Sequence, residues 1–154
     1  MGWSDTLAGD LVGGAAPSDP ALHPEDANIA RWTNFLTAIQ QLNLTQQEQN
    51  LYKHHLNNMA ITGGLGVPNP KEGGRSTVFQ TNVQGPGGRY YDIPTVWHGK
   101  ILEPMEGVHQ AIKEYGWDHW PSYDTSHEAD ARYMQYHDFM EKDAPEFWTG
   151  LGDQ

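Results

Sequence analysis

The chain of 154 residues contains no cysteine. Disulfide frameworks, zinc ribbons and thiol nucleophiles are therefore excluded. No run of about 18 apolar residues occurs, so we expect no membrane-spanning helix. The opening residues, Met1-Gly2-Trp3-Ser4-Asp5, form neither a basic nor an apolar region, so we expect no secretory signal.

Basic residues are scarce, because nine Lys and Arg stand against 20 Asp and Glu, for a formal net charge of −11. Residues 105–154 alone carry three basic and eleven acidic side chains, or −8. No basic stripe is present that could neutralise phosphates, so direct nucleic-acid binding is not expected. An anionic membrane surface would repel the acidic C-terminal part. Solubility is the simplest explanation of the negative charge.

Glycine (17) and proline (10) fall in clusters, which predicts ordered elements separated by long loops. We divide the chain into an N-terminal arm, a helical hairpin, a Gly/Pro linker, an α+β module and a C-terminal tail. Their bounds are residues 1–24, 25–60, 61–75, 76–143 and 144–154. One folded core with extended arms fits this length.

Two helices are predicted in the hairpin, because apolar residues recur there at helical spacing. The apolar face of the first is Ile29, Trp32, Phe35, Leu36, Ile39 and Leu42. The second begins at Thr45-Gln46-Gln47-Glu48, which has capping-box spacing. Its apolar side is Leu51, Tyr52, His55, Leu56 and Met59. The short connection predicts antiparallel neighbours or a sharp corner.

Residues 76–103 show a period of two, which predicts strands. One strand is expected over 76–83 and a second over 91–97, where Pro94 indicates an edge or a bulge. A third is expected at 100–102 after the turn His98-Gly99. Two further helices should follow, one starting at Pro104 and one at Thr125. The predicted fold class is α+β: a helical hairpin, then a three-stranded antiparallel meander packed with two helices, with extended terminal arms.

Several short motifs in this region occur in a fixed order. They are Ser76-Thr77-Val78, Tyr91-Asp92-Ile93-Pro94-Thr95-Val96, Gly99-Lys100-Ile101-Leu102, Ala111-Ile112, Tyr115-Gly116, Tyr123-Asp124-Thr125, Glu128-Ala129, Tyr133 and His137. The set resembles a small module of tailed-bacteriophage proteins, found alone or appended to large virion-associated proteins, some with a lytic transglycosylase domain. The resemblance covers about residues 66–143, and it implies a phage context without assigned catalytic residues.

The chain departs from that module at two places. Phe79 stands where the module usually has arginine, and Asp118-His119-Trp120 replaces its usual His-Leu-Gly. A binding role of that arginine would therefore be missing here. Residues 1–60 resemble no family.

Catalytic, metal and cofactor sites are not predicted. His54 and His55 are adjacent on a helix and point in different directions, and His119, His127 and His137 lack ligand spacing. Glycan cleavage needs a carboxylic acid buried in an apolar cleft, whereas four glutamates fall on predicted exposed faces. They are Glu106, Glu114, Glu128 and Glu141. The glycines at 85–88 lie between strands, which indicates a hairpin loop and not a phosphate loop.

Six tryptophans are many for this length, and tryptophan and tyrosine commonly anchor interfaces. The interface candidates are Trp3, Trp97, Trp117, Trp120, Tyr123 and Trp148. For Trp97 and Trp120, burial in a small core is the alternative. Trp3, Leu7 and Leu11 are spaced by four, like one face of a short helix. That arm would dock on its own core or, as we hypothesise, on a neighbouring subunit.

These observations predict a structural, non-catalytic component of a tailed-phage particle. It would be assembled in the bacterial cytoplasm, and in the virion it would lie in the tail, at the head–tail junction or among the ejected internal proteins. Its partners would be other phage structural proteins, with several copies in a symmetric assembly. Two alternatives stay open: an accessory module that binds peptidoglycan through Trp117 and Trp120, and a non-virion phage protein that modulates the host.

Overall fold

The computed structural model describes residues 24–71 and 73–143, which form a mixed α+β protein, as predicted. The helices of this part are α1 (Pro24–Leu42), α2 (Gln46–Ile61), α3 (Pro104–Tyr115) and α4 (Ser126–Glu141). Its strands are β1 (Val67–Pro68), β2 (Arg75–Ser76), β3 (Thr81–Gln84), β4 (Tyr90–Ile93), β5 (Val96–Trp97), β6 (Lys100–Ile101) and β7 (Ser122–Tyr123). Trp3 and Trp148, in the predicted arm and tail, lie outside the described residues.

The predicted helical hairpin is present, and its corner has an identifiable chemistry. Asn43 takes a positive φ of 53° between the two helices. The Thr45 hydroxyl then accepts the Glu48 N–H at 3.1 Å, and Glu48 Oε1 accepts the Thr45 N–H at 2.9 Å. This reciprocal pair is the predicted capping box, and it fixes the start of α2. Arg31 of α1 lies beside Gly64, just past the end of α2, so the helices run in opposite directions.

The three-stranded sheet differs from the predicted meander in its third strand. Its order is β3-β4-β7, with Tyr90 opposite Tyr123, whereas β6 pairs only with β5. Pro94 has no N–H to continue the ladder beyond β4. The next residue, Thr95, donates its N–H to Val78 at 2.8 Å and its hydroxyl to the carbonyl of Phe79. The chain therefore leaves the sheet at Pro94, and β7 occupies the free edge of β4.

The predicted first strand is also shorter than expected. Only Thr81–Gln84 joins the sheet, and Phe79 interrupts the strand with a positive φ of 43°. Before it, the Gly/Pro-rich stretch contains a two-residue hairpin in which Val67 pairs with Ser76. The strand predicted over 76–83 from alternating residues is therefore too long, because alternation gives no signal for the bend at Phe79.

One core joins the helical hairpin to the α+β module. The buried side chains from the hairpin include Phe35, Leu51, Tyr52 and Leu56. Those from the later elements include Tyr91, Ile93, Trp97, Val108, Trp120 and Tyr136. The two predicted segments therefore pack together around shared side chains. Among the described residues, no helix has the length and apolar character needed to cross a bilayer.

Candidate functional site

The most polar buried cluster lies around Glu48, at the first turn of α2. Its side chain is 3% exposed and accepts hydrogen bonds from four directions. Tyr123 donates its hydroxyl to Oε2 at 2.6 Å, and Arg132 donates Nε to Oε2 at 2.8 Å and Nη2 to Oε1 at 3.0 Å. The Thr45 N–H completes the set at 2.9 Å. Glu48 thus links α2, β7 and α4.

Arg132 also closes the end of α1. Its Nη2 donates to the carbonyl of Leu42 at 2.6 Å and to that of Asn43 at 3.3 Å. The last carbonyls of a helix have no partner within the helix, so the guanidinium supplies one. The Arg132 side chain on α4 therefore binds both the end of α1 and the start of α2.

The hydrogen bonds around Glu48 keep it ionised. Burial alone would raise the pKa of this carboxyl, since a charged group is poorly solvated there. The hydrogen bonds from Arg132, Tyr123 and Thr45, together with the charge of Arg132, outweigh that effect and lower the pKa. The hydrogen bond to Glu48 likewise raises the pKa of Arg132. The pair is a charged tie and not a proton donor.

A pocket of about 360 Å³ opens beside Glu48. Its lining includes Arg89, Tyr91 and Tyr123. Arg89 is already engaged, because Nε donates to Ser122 Oγ at 2.7 Å and Nη1 to Asp124 Oδ1 at 2.7 Å. The pocket thus combines aromatic surface with polar groups that bond within the protein.

A second buried network joins α2, the loop after β2 and the end of α4. His55 Nδ1 lies 2.6 Å from Thr77 Oγ1, and His55 Nε2 lies 2.7 Å from Asp143 Oδ2. Asn34 of α1 donates Nδ2 to Asp143 Oδ1 at 3.1 Å and to the Phe139 carbonyl at 2.7 Å. The network therefore connects three helices through side chains distant in sequence.

Threonine, histidine and aspartate in this order also occur in nucleophilic catalysis. Such a triad needs a nucleophile that a substrate can reach. Here Thr77 is 8% exposed and His55 is 2% exposed, so a substrate would have little access to this group of residues. The arrangement fits a structural tie, in which every buried polar group gains a partner.

A third buried polar site is Asp92, in the middle of β4. It is fully buried, and its Oδ1 accepts from Asn82 Nδ2 at 3.0 Å and from Gln80 Nε2. Burial raises the pKa of Asp92 to about 7, although the hydrogen bonds from Asn82 and Gln80 act in the opposite direction. The carboxyl therefore changes charge near neutral pH.

We expect Asp92→Asn to remove a loss of stability that accompanies rising pH. Because the folded-state pKa is about 7 against an ordinary 3.8, the native state holds a proton that the unfolded state has released between those values. The contribution of Asp92 to the unfolding free energy should fall by up to about 1.4 kcal/mol per pH unit as pH rises through this window. His54 acts in the opposite direction below its ordinary pKa of 6.5, because burial lowers its folded-state pKa to about 4. Urea denaturation at pH 5 and pH 8 measures the slope. Asp138→Asn, on the exposed side of α4, is the matched control, and equal slopes in Asp92→Asn and wild type would contradict the expectation.

The structure corrects the interface prediction for two tryptophans. Trp97 is 5% exposed and donates Nε1 to the Pro94 carbonyl at 2.8 Å. Trp120 is 1% exposed and donates Nε1 to the Ala111 carbonyl at 3.4 Å. A side chain buried this far has no area left for a second protein, so both belong to the core, the alternative open from the sequence. Trp120 equally offers no face to a sugar ring.

Two other interface candidates, Trp117 and Tyr123, are partly exposed but already make contacts within the protein. The ring of Trp117 packs edge-on against Tyr91 at 4.8 Å and lies over Gly85, where an added Cβ would sit 2.6 Å from it. Tyr123 bonds to Glu48 through its hydroxyl. Both hold the loops around the pocket in place.

The histidines are dispersed, and the glutamates lie where they were predicted. Within residues 24–71 and 73–143, no group of three or more histidines and carboxylates could hold a metal ion. His54 donates its Nε2–H to the Val96 carbonyl, 2.7 Å away, whereas His55 faces Thr77 and Asp143. The glutamates at 106, 114, 128 and 141 are exposed, as expected.

The surface feature that sequence reasoning missed is a row of exposed apolar side chains on α1. Ile29 is 65% exposed, Trp32 41% and Leu36 62%. The three were predicted as part of one apolar helical face with Phe35, Ile39 and Leu42. At about 100° per residue, the six positions spread over an arc of about 140°, wider than this helix buries. The width of this arc was the feature of the sequence that could have indicated exposed apolar residues on α1. We call Ile29, Trp32 and Leu36 the α1 row.

No family model matches this chain, and neither a curated protein nor a solved structure matches it.

Proposed function

We propose that this chain is a structural, non-catalytic component of a tailed-bacteriophage particle that acts through contacts with other proteins. The observation that carries the proposal is the α1 row, three large apolar side chains facing outward on consecutive turns of one helix. Single exposed apolar residues are ordinary, whereas a contiguous row is typical of a contact surface.

The internal ties support a contact role. Two buried pairs fix the helices to one another through their polar groups. They are Glu48 with Arg132 and His55 with Asp143. Buried polar residues of this kind position the backbone, and none of these four side chains covers the α1 row. A rigid scaffold that presents an apolar helix face suits an assembly protein.

The phage context comes from the resemblance of about residues 66–143 to a module of tailed-phage proteins. In the fold, its motifs fall in β2, β4, β5, β6, α3, β7 and α4. The proposal includes several copies in a symmetric assembly with other phage structural proteins. The tail, the head–tail junction and the particle interior are the candidate positions.

A second candidate, binding of peptidoglycan, is favoured by one observation, the pocket beside Glu48. Tyr91, Tyr123 and Arg89 line it, and aromatic and polar side chains in a concave site are typical of small-ligand binding. Two observations count against peptidoglycan binding. Trp120 is buried, and Arg89 already donates a hydrogen bond to Asp124. Pull-down on purified sacculi tests this candidate: retention of the full chain supports it, and recovery of the chain in the flow-through counts against it.

Mass spectrometry of gradient-purified particles, made from the genome that encodes the chain, tests the proposal. We expect a fixed number of copies per major capsid protein. Absence from particles would overturn the proposal and would favour a host-directed role inside the cell.

A further inference from the structure

Asp92 is buried without the partners that a carboxylate requires. An ionised carboxylate accepts hydrogen bonds at both of its oxygens. Oδ1 of Asp92 accepts from Asn82 and Gln80, whereas Oδ2 is buried and has no hydrogen-bond partner among the described residues. Within the same residues, Asp92 forms no ion pair with a basic side chain. These surroundings suit an uncharged carboxyl, because an unpaired charge is far more costly to bury than a neutral group.

Helix α4 covers this carboxyl and brings like charge towards it. The helix packs on β4, and Tyr136 of α4 is fully buried. Burial raises the pKa of the Tyr133 and Tyr136 hydroxyls, and the nearby Asp92 carboxyl raises both further. Two acidic side chains, Asp130 of α4 and Glu48 of α2, oppose a negative charge on Asp92. Ionisation of Asp92 would therefore place a charge where its neighbours are apolar or acidic.

The other charged and titratable side chains near this contact are bonded elsewhere. Arg132 of α4 and Tyr123 of β7 both donate to the buried carboxylate of α2. His137 of α4 packs against Tyr133, with 5.2 Å between the ring centroids. In the described part of the chain, none of these side chains bonds to Asp92. No group on α4 therefore offsets a charge on this carboxyl.

The hydrogen bonds of Asp92 indicate which side of it would open on ionisation. Asn82 and Gln80 lie in β3 and before it, and their amides favour the charged form of Asp92. Burial under α4 and the charge of Asp130 oppose that form. Release of α4 would admit water to the carboxylate and would retain both amide donors. Release of β3 would remove those donors, so α4 is the element that we expect to move.

We propose that the Asp92 carboxyl is a pH-sensitive switch, which keeps the middle of α4 packed on β4 when it is uncharged and lets that part of the helix open to water when it is ionised. This proposal goes beyond the proposed function and does not depend on it. The folded-state pKa is about 7, against an ordinary value of 3.8 for a carboxyl in contact with water. Opening of α4 should therefore become easier as pH rises between these values, and it should level off above the higher one.

Amide hydrogen exchange of the purified full chain tests the switch, because exchange corrected for the intrinsic rate at each pH gives an opening constant for each amide. For the Tyr133 and Tyr136 amides of wild type, we expect a rise of about 50-fold from pH 5 to pH 7 and of only about twofold from pH 7 to pH 8.5. Asp92→Asn, which replaces the neutral carboxyl by an amide of the same shape, should remove this rise. Asp138→Asn, on the exposed side of α4, controls for the loss of one negative charge and should behave like wild type. His137 is present in all three proteins, so its titration does not distinguish them.

Two measurements on wild type keep the test decisive if a variant is unstable. The ¹³Cγ chemical shift of Asp92 reports its charge directly, and we expect its midpoint at about pH 7. Urea denaturation gives the free energy of global unfolding, and we expect the Tyr136 amide to open at a smaller free energy at pH 7 and above. Three results would each overturn the proposal: Asp92 already ionised at pH 5, an equal rise in Asp92→Asn, or α4 amides that exchange only through global unfolding.

Discussion

Replacing Glu48 by alanine is expected to lower the free energy of unfolding by about 3 kcal/mol, the lower end of the cost of breaking a buried ion pair. The lower end applies because Arg132 keeps 24% of its side chain exposed. The substitution leaves the guanidinium and the Tyr123 hydroxyl without their acceptor, and it removes half of the capping box of α2. Three elements lose a common anchor at once.

Glu128 provides a matched control for this effect. It occupies the same third helical position in α4, after the N-cap Thr125, but it is exposed. Urea denaturation should show a loss below about 1 kcal/mol for Glu128→Ala, a typical effect of a surface substitution near a helix start. Glu48→Gln, which keeps the shape and loses the charge, should fall between the two. Equal losses in Glu48→Ala and Glu128→Ala would show that Arg132 and Tyr123 gain nothing from Glu48.

The stabilisation by Glu48 also has a defined pH range. Since its folded-state pKa is lowered, the contribution is present above the ordinary value of 4.5 and is lost as pH falls through the folded-state pKa. This direction is opposite to that of Asp92. The two carboxyls therefore affect stability in opposite directions, Glu48 below pH 4.5 and Asp92 between pH 3.8 and about pH 7.

Asp143→Ala is expected to cost about 3 kcal/mol or more, because three donors lose this acceptor together: the His55 ring, the Asn34 amide and the Tyr52 hydroxyl. The ring nitrogen of His55 and the amide of Asn34 both lie within 3.1 Å of the carboxylate. The His55–Asp143 pair is almost fully buried, with side-chain exposures of 3% and 1%. Water can therefore not replace the lost partner without opening the end of α4.

Asp138→Ala on the exposed side of the same helix is the control for Asp143→Ala. Urea denaturation gives the two losses, and amide hydrogen exchange reports where the structure opens. We expect faster exchange in the last turn of α4 for Asp143→Ala only. A loss no larger than that of Asp138→Ala would mean that the buried carboxylate contributes no net stability.

Helices were predicted well because their signals are local. The capping box at Thr45 and Glu48, and the helix starts at Pro104 and Thr125, are recognised within four residues. The third strand of the sheet was missed because Ser122–Tyr123 is only two residues long, too short to show a period. Its partners, Tyr90 and Tyr91, lie far earlier in the chain, so no local pattern indicates the pairing.

The polar networks had no comparable signal. Glu48 was predicted only as a capping residue, and its partner Arg132 lies 84 positions away. His55 was assigned to the apolar side of its helix, which the burial confirms, but its pairing with Thr77 and Asp143 depends on tertiary packing. Spacing within one element indicates which face is buried. It carries no information on which distant polar group meets that face.

The central claim, that the α1 row connects this chain to a particle, is tested most directly by counting copies of variants in purified particles. We compare Ile29→Gln, Leu36→Gln with Ile61→Gln, Met134→Gln, a control pair whose side chains are 66% and 59% exposed outside the row. Both proteins should unfold like wild type, since all four side chains are exposed. We expect the row variant to fall at least about tenfold in copies per particle, a loss of about 1.4 kcal/mol of binding, while the control pair stays at the wild-type level. Equal incorporation of both variants would contradict the account.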